Sequence, residues 1–237
     1  MNLYRSRIEA FRLWTRRDLP VGLSILWALG YSTSSPASNK YGLKSDEGLP
    51  IDNFRMPVEL DPGKLPGVVW KGAAAADCII YEFFDYNCGY CRQAGRGLDG
   101  IIAGDHGVRL GLVNNPILSI GSVKAAKIQQ GILRLHGPDV AYAFHVKMLE
   151  RRGPATGPSG LEVARSMRLN LQEIEESADS SKINNVLTHQ SKLAVNAGLT
   201  ITPSFVIAGT AVLGWPGVGS LREMIAAARK CDHPACA

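Results

Sequence analysis

Two cysteines held two residues apart, Cys88-Gly89-Tyr90-Cys91, are the densest chemistry in the sequence. Five cysteines are present, Cys78, Cys88, Cys91, Cys231 and Cys236, and only this pair has the tight C-x-x-C spacing. Such a pair can exchange disulfides, supply half of a zinc site, or staple a short loop; the flanking residues decide between them. Cys78–Phe84 (CIIYEFF) has the β-branched and aromatic composition of a buried central strand. The chain then turns at Asp85-Tyr86-Asn87, and a helical pattern opens at Cys88 and runs to about Ile102. A cysteine at a helix N-terminus meets unpaired N–H groups and the positive end of the macrodipole, which stabilise its thiolate. Its pKa should fall below the free value of ~8.5, into the range of about 3.5–7. Cys91, one turn later on the same face, is placed to resolve a mixed disulfide. A low-pKa sulfur also leaves readily, which makes the oxidised pair labile and transferable.

The zinc reading needs a second half. Cys231 and Cys236, or His233 between them, have loose spacing, and the sequence offers no second C-x-x-C and no H-x₃₋₅-H. A purely structural staple gains little, because closing so short a loop constrains the unfolded chain only slightly. The redox reading is therefore the one the residues favour.

The elements that must hold this site follow from periodicity. Val108–Asn114 reads as a second, parallel strand closed by Pro116. Between about Gly121 and Gly198 the pattern is helical, in pieces at Ser122–Leu135, Val140–Leu149, Leu161–Leu169, Leu171–Ala178 and Ile183–Ala197. Ser204–Ile207, a turn at Ala208-Gly209 and Ala211–Leu213 predict a hairpin, and Ser220–Lys230 a closing helix. The fold class expected is α/β: one mixed sheet flanked by helices, with an inserted helical subdomain at about 121–198. Gly95, Gly97 and Gly100 weaken the first helix, each by up to ~1 kcal/mol against Ala, and predict a loose one.

The 237 residues are 46% hydrophobic and 20% charged, with a mean hydropathy of −0.01. This composition excludes a multi-span membrane protein, a collagen-like fibre and a wholly disordered chain. Residues 1–37 read as an export signal. Arg5, Arg7, Arg12, Arg16 and Arg17 precede an uncharged run of 11 residues, Val21–Tyr31, and then small residues suited to cleavage. Thr15-Arg16-Arg17-Asp18-Leu19 is similar to a twin-arginine export motif. The alternative, an uncleaved anchor in the inner membrane, is disfavoured because spanning takes about 20 residues. Setting the leader aside lowers the net charge from +5 to +2. No basic block remains, so no nucleic-acid partner is expected. Residues 38–73 are expected to be an extended arm, rich in Gly and Pro over 39–66, ahead of a domain at 74–230 and a tail at 231–237.

The stretch Glu82-Phe83-Phe84-Asp85-Tyr86-Asn87-Cys88-Gly89-Tyr90-Cys91-Arg92 resembles the active-site segment of the DsbA-like thiol:disulfide oxidoreductases, a thioredoxin-fold family with a helical insertion. Asn115-Pro116-Ile117-Leu118 is similar to its strand-end motif, Thr202-Pro203-Ser204-Phe205-Val206-Ile207 to its cis-proline loop, and Gly214-Trp215-Pro216-Gly217 to the segment before its last helix. The resemblance spans roughly Asp77 to Lys230. It implies that Cys88 is the nucleophile and Cys91 the resolving thiol. It implies a cis Pro203 beside them, with Thr202 presenting backbone groups to an extended substrate. It also implies that Glu82 lies beneath the site and relays a proton to or from Cys91; by alternation alone, Glu82 could equally sit on a solvated face. Gly89-Tyr90 departs from the Pro-His of the strongest oxidants, which implies a milder one.

The resemblance implies no metal and no cofactor beyond the Cys88–Cys91 disulfide. The partners would be unfolded or partly folded exported proteins and an oxidising or reducing membrane redox partner, in the periplasm. Two alternatives use the same cysteines: an isomerase or reductase kept reduced by a membrane donor, and a periplasmic copper-binding protein, since thiolates select soft ions. Cys78 reads as a small buried hydrophobe. Cys231 and Cys236 are spaced for either a tail disulfide or two free thiols, and the five histidines are too scattered to assign to the chemistry.

Overall fold

The computed structural model describes residues 40–236; the leader reading at 1–37 lies outside the described residues. A single sheet runs in the order β1-β6-β5-β3-β4-β2. Its strands are β1 (Asn53–Arg55), β2 (Val69–Lys71), β3 (Cys78–Phe84), β4 (Val108–Asn114), β5 (Ser204–Ile207) and β6 (Thr210–Leu213). β3 is central, parallel to β4 and antiparallel to β5. The helices are α1 (Gly89–Gly104), α2 (Ile120–Glu150), α3 (Gly157–Ser166), α4 (Leu171–Ala178), α5 (Ser181–Asn196) and α6 (Val218–Cys231). This is the mixed, helix-flanked sheet with a helical insertion that the sequence predicts.

Alternation along β3 sends Cys78, Ile80, Glu82 and Phe84 to one face and Ile79, Tyr81 and Phe83 to the other. The first face packs on α1, α2 and α6 through Leu98, Ile101, Phe144, Met148, Leu221 and Ile225. The second packs on Ala194, Ala197 and Leu199 from α5 and the turn after it. Covering on both faces explains why β3, Glu82 apart, reads as an apolar run rather than an alternating one. The two helical pieces expected at 122–135 and 140–149 join into α2 across a kink, where Gly137 takes φ 82 just ahead of Pro138.

Gly95 and Gly97 of α1 serve close packing rather than looseness, whereas a Cβ on Gly100 would meet open space. A Cβ on Gly95 would stand 2.6 Å from Leu149 Cδ1, and one on Gly97 2.9 Å from the Trp215 ring. Each lets a neighbouring segment approach α1 more closely than any side chain would allow.

Residues 40–73, the described part of the expected arm, are tied into the sheet. β1 pairs with β6 and β2 with β4, so this segment supplies both edges of the sheet. Leu43 and Ile51 are buried in the core, and the Asn53 side chain ties the turn by accepting from Tyr41 N–H (2.8 Å) and donating to Ile51 O (2.8 Å). Three-residue strands in Gly/Pro-rich surroundings carry no period; their pairing comes from strands distant in sequence.

The segment also caps α6. Its N-cap, Gly217, has no side chain to offer, and Asp46 accepts the N–H groups of Gly219 (3.1 Å) and Ser220 (2.6 Å) instead. The Ser220 backbone contact is the main cause holding the Asp46 carboxyl below its ordinary 3.8. Asp46→Ala should therefore cost about 1 kcal/mol of stability at neutral pH. A depressed carboxyl contributes above its unfolded value and loses that contribution as pH falls through the folded one. Denaturant curves of wild type and variant should thus converge below pH 3.8, and a gap that persists in acid would contradict this cap.

Candidate active site

The site is built where β3 ends and α1 begins. After Phe84 the chain leaves the sheet, and the buried Asp85 shapes the turn: its carboxylate accepts Asn87 N–H at 2.7 Å and Leu118 N–H at 2.9 Å. Cys88 follows as the N-cap of α1, in extended backbone (φ −80, ψ 121), and its Sγ accepts the Cys91 N–H at 3.3 Å. A sulfur here stands in for the Ser or Asp oxygen that usually caps a helix, so its anion inherits the cap's donors.

Those donors act on the thiol directly. Hydrogen bonding from the Cys91 side chain is the largest influence on Cys88; with help from the Thr202 side chain and the Cys91 and Tyr90 N–H groups it outweighs burial and lowers the pKa from 9.0 to about 6. Cys91 behaves oppositely. It is fully buried, and desolvation above all, followed by its bond to Cys88, pushes its thiol far above the ordinary range. One helical turn therefore separates a thiolate from a proton-holding thiol. Both cysteines are free in this structure.

Thr202-Pro203 is a cis peptide, and it brings Thr202 O within 3.0 Å of Cys88 Sγ, which donates to it as a thiol. Asn115, after β4, ties the region together by donating from its side chain to Leu199 O and from its backbone to Phe84 O. The structure thus brings Cys88, Cys91, Thr202 and Pro203 to one end of the sheet, with Gly89 and Tyr90 exposed at the tip of α1.

Glu82 lies beneath them, fully buried, and neither carboxylate oxygen has a partner. Desolvation first, and the Cys88 charge second, raise its pKa from 4.5 to about 8. Its side chain is therefore on the buried face of β3 and not on a solvated one.

Cys231 and Cys236 are bonded to each other, and Cys78 is a buried free thiol raised to about 11 by burial. Arg229, on the last turn of α6, bonds to Asp77 at the start of β3 (2.7 Å), whereas Cys88 follows its end. Seven strand residues, roughly 20 Å, therefore separate the tail pair from Cys88. The two halves of the zinc reading stand at opposite ends of the sheet. Among the described residues no group of three or more His, Cys, Asp or Glu is arranged to hold a metal ion.

The sequence left two anchoring residues unassigned. Asn87 binds Ser119 Oγ, Ser122 Oγ and both backbone groups of Ala155, fastening the turn before Cys88 to the helical insertion. Arg92 donates to the carbonyls of Tyr86, Leu149, Arg151 and Gly153. Nothing local signals either role, since every contact except that to Tyr86 is distant in sequence. His145 is a third unassigned residue; it is buried with its Nδ1 unpartnered. A signal for it existed, because Ala141, Phe144, His145 and Met148 share the inward face of α2 at helical spacing.

A family model described as DSBA-like thioredoxin domain matches residues 79–226. No curated protein matches the chain. Among solved structures, a thioredoxin-like oxidoreductase from Silicibacter pomeroyi DSS-3 is 28% identical, with a TM-score of 0.67 over 73% of this chain and 99% of the other. The thiol-disulfide exchange protein alpha-DsbA2 from Wolbachia pipientis is 22% identical, with a TM-score of 0.63 over 67% and 86%. The catalytic domain of Proteus mirabilis ScsC is 21% identical, with a TM-score of 0.61 over 69% and 89%. The last two share the fold.

Proposed function

This chain belongs to the DSBA-like thioredoxin-domain family of thiol–disulfide oxidoreductases, and on that premise we propose that it exchanges disulfides with protein substrates through Cys88 and Cys91. The observation that carries the reading is the contrast between the two sulfurs: Cys88 titrates near 6, while burial holds the proton on Cys91. In the oxidising direction a substrate thiolate attacks Cys88 of the Cys88–Cys91 disulfide. Cys91 leaves and takes a proton, for which the carboxyl of Glu82 is the buried source. A second substrate thiolate then attacks the substrate sulfur of that mixed disulfide, the substrate's own disulfide forms, and Cys88 departs as a stable thiolate. The reducing direction runs the same steps backwards. The chemistry needs no metal and no bound cofactor.

The substrate class follows from the surroundings. Thr202 offers backbone groups to an extended segment, in the manner of strand addition. Tyr90, Ile117, Leu118, Ile120 and Ile201 are exposed large apolar residues in the segments that meet at Cys88. Unfolded or partly folded chains display the apolar side chains and free backbone that suit such a rim. Residues 1–37 support export to the periplasm, where a membrane redox partner would reset the pair. Among the described residues no helix is long and apolar enough to cross a membrane.

Incubating the oxidised protein with a reduced, unfolded substrate tests the reading: disulfides should appear in the substrate as Cys88 and Cys91 become free thiols, and no transfer would refute it. The reduction potential then separates oxidase from isomerase or reductase. With one thiolate and one thiol in the reduced pair, the potential should fall by about 30 mV per pH unit above pH 6 and about 60 mV below it. A slope of about 60 mV throughout would mean that neither thiol is acidic.

A further inference from the structure

The core behind Cys91 holds polar atoms that nothing in the fold accounts for. Both oxygens of Glu82, the hydroxyl of Tyr86 and Nδ1 of His145 are buried without a hydrogen-bond partner. Native cores tolerate few such atoms, and each calls for an explanation. These belong to one cluster. Glu82 and Phe84 share a face of β3, and the Phe84 ring stands edge-on to His145 at 4.5 Å and to Tyr86 at 5.0 Å. The Tyr86 and His145 rings are 5.6 Å apart, and Tyr142 lies 6.2 Å from His145. The charge of Glu82 reaches both tyrosines.

His145 also lines a recess between α1 and α2, together with Arg92, Arg96, Asp99 and Glu150. The imidazole therefore stands between the sealed cluster and the surface. At the surface end, Tyr142 donates to Asp99 at 2.6 Å. Burial lowers the His145 pKa to about 3, so the ring is neutral near pH 7, with one donor and one acceptor nitrogen.

We propose that His145 is a positioning residue that passes protons between the Glu82–Cys91 pair and solvent, by way of the Tyr86 hydroxyl on the inner side and the α1–α2 recess on the outer. The inference rests on the reading of Cys88 and Cys91 given above. When a substrate thiolate bonds to Cys88 Sγ, the Cys88–Cys91 bond breaks and its electron pair leaves on Cys91 Sγ. The substrate sulfur is oxidised and Cys91 reduced. Cys91 takes the proton of Glu82, and the carboxylate recovers one from solvent through Tyr86 and His145; the reverse reaction returns it by the same route. A neutral imidazole suits the task because it accepts at one nitrogen and releases at the other without storing charge.

The groups facing this route are Glu82, Tyr86 and Cys88 from β3 and the turn after it. From α1 come Cys91, Arg92, Arg96 and Asp99, and from α2 Tyr142 and Glu150. Arg92, with its donors on four carbonyls, and the outer charges of Arg96, Asp99 and Glu150 belong to the recess and not to the sealed cluster.

His145→Gln retains polarity but cannot shuttle a proton. Rapid mixing of the oxidised variant with a reduced peptide thiol should show uptake of the replacement proton from solvent, followed with a pH indicator, slowed roughly ten- to a hundredfold, with a larger solvent deuterium isotope effect. The Cys88 thiolate midpoint should stay where it is in wild type. In His145→Gly, added imidazole should restore the rate. A wild-type rate and isotope effect in His145→Gln, or no response to imidazole in a folded His145→Gly, would overturn the proposal. Wild-type protein gives a reading free of folding effects: the ¹⁵N resonances of His145 should shift with the ionisation of Glu82, near pH 8, and resonances indifferent to it would also overturn the proposal. Wild-type protein unable to exchange disulfides at all would instead overturn the reading of Cys88 and Cys91, and this inference with it.

Discussion

Replacing Cys88 by Ser should reduce thiol–disulfide exchange to the uncatalysed background, while replacing Cys91 by Ser should stop the reaction at a mixed disulfide on Cys88. The two outcomes differ because the two sulfurs do. At pH 7 a thiol titrating near 6 is about 90% thiolate, whereas one at an ordinary 9.0 is about 1%. Hydroxyl oxygen at position 88 has no comparable anion, so no covalent adduct forms. Serine at 91 leaves Cys88 reactive but removes the thiol that resolves the adduct. Mass spectrometry of each variant after incubation with a disulfide-containing peptide would decide the matter. An adduct on Cys88 is expected in Cys91→Ser, and none in Cys88→Ser. An adduct on Cys78 instead is not expected, since that thiol is buried and raised to about 11.

Replacing Glu82 by Leu should make the protein more stable and slower. In the folded state Glu82 keeps its proton to about 8, whereas in the unfolded chain it ionises near 4.5. The folded state thus binds the extra proton between those values, so this group lowers wild-type stability as pH rises from 4.5 to 8 and adds nothing further above 8. The burden is about 3 kcal/mol at pH 7 and approaches about 5 kcal/mol in alkali. Glu82→Leu removes it, so the variant's advantage in denaturant unfolding of the reduced protein should be small at pH 5 and grow to a plateau above pH 8. Release of Cys91 should slow over the same range, because its proton source is gone. An advantage independent of pH would mean that Glu82 is not held protonated. Retaining a destabilising carboxyl in the core makes sense only where its chemistry is used.

Much of this arrangement was legible in the residues, and the physical reason is locality. β3 and β4 show as apolar runs, broken only by Glu82 and Arg109 before the closing Asn114, because they are buried on both faces, and a turn bounds each. The position of Cys88 at the start of α1 follows from strand, turn and helical period read in order. β1 and β2 were hidden because three-residue edge strands are specified by their partners, β6 and β4. Asn87 and Arg92 were hidden for the same reason, since their partners lie mainly in the α2–α3 loop and the ends of those helices. Gly95 and Gly97 of α1 misled in the other direction: propensity counts their entropy and cannot see Leu149 and Trp215 pressed against them. The burial of Glu82 was open from alternation alone, because β3 carries apolar residues on both faces and so does not tell one from the other.

Titration of the reduced protein by thiolate absorbance tests the central claim most directly. One thiolate should appear with a midpoint near pH 6, it should be missing from Cys88→Ser, and no second thiolate should appear below pH 9. A reduced protein with no thiolate until pH 8 or above would contradict the account of Cys88 as the activated nucleophile.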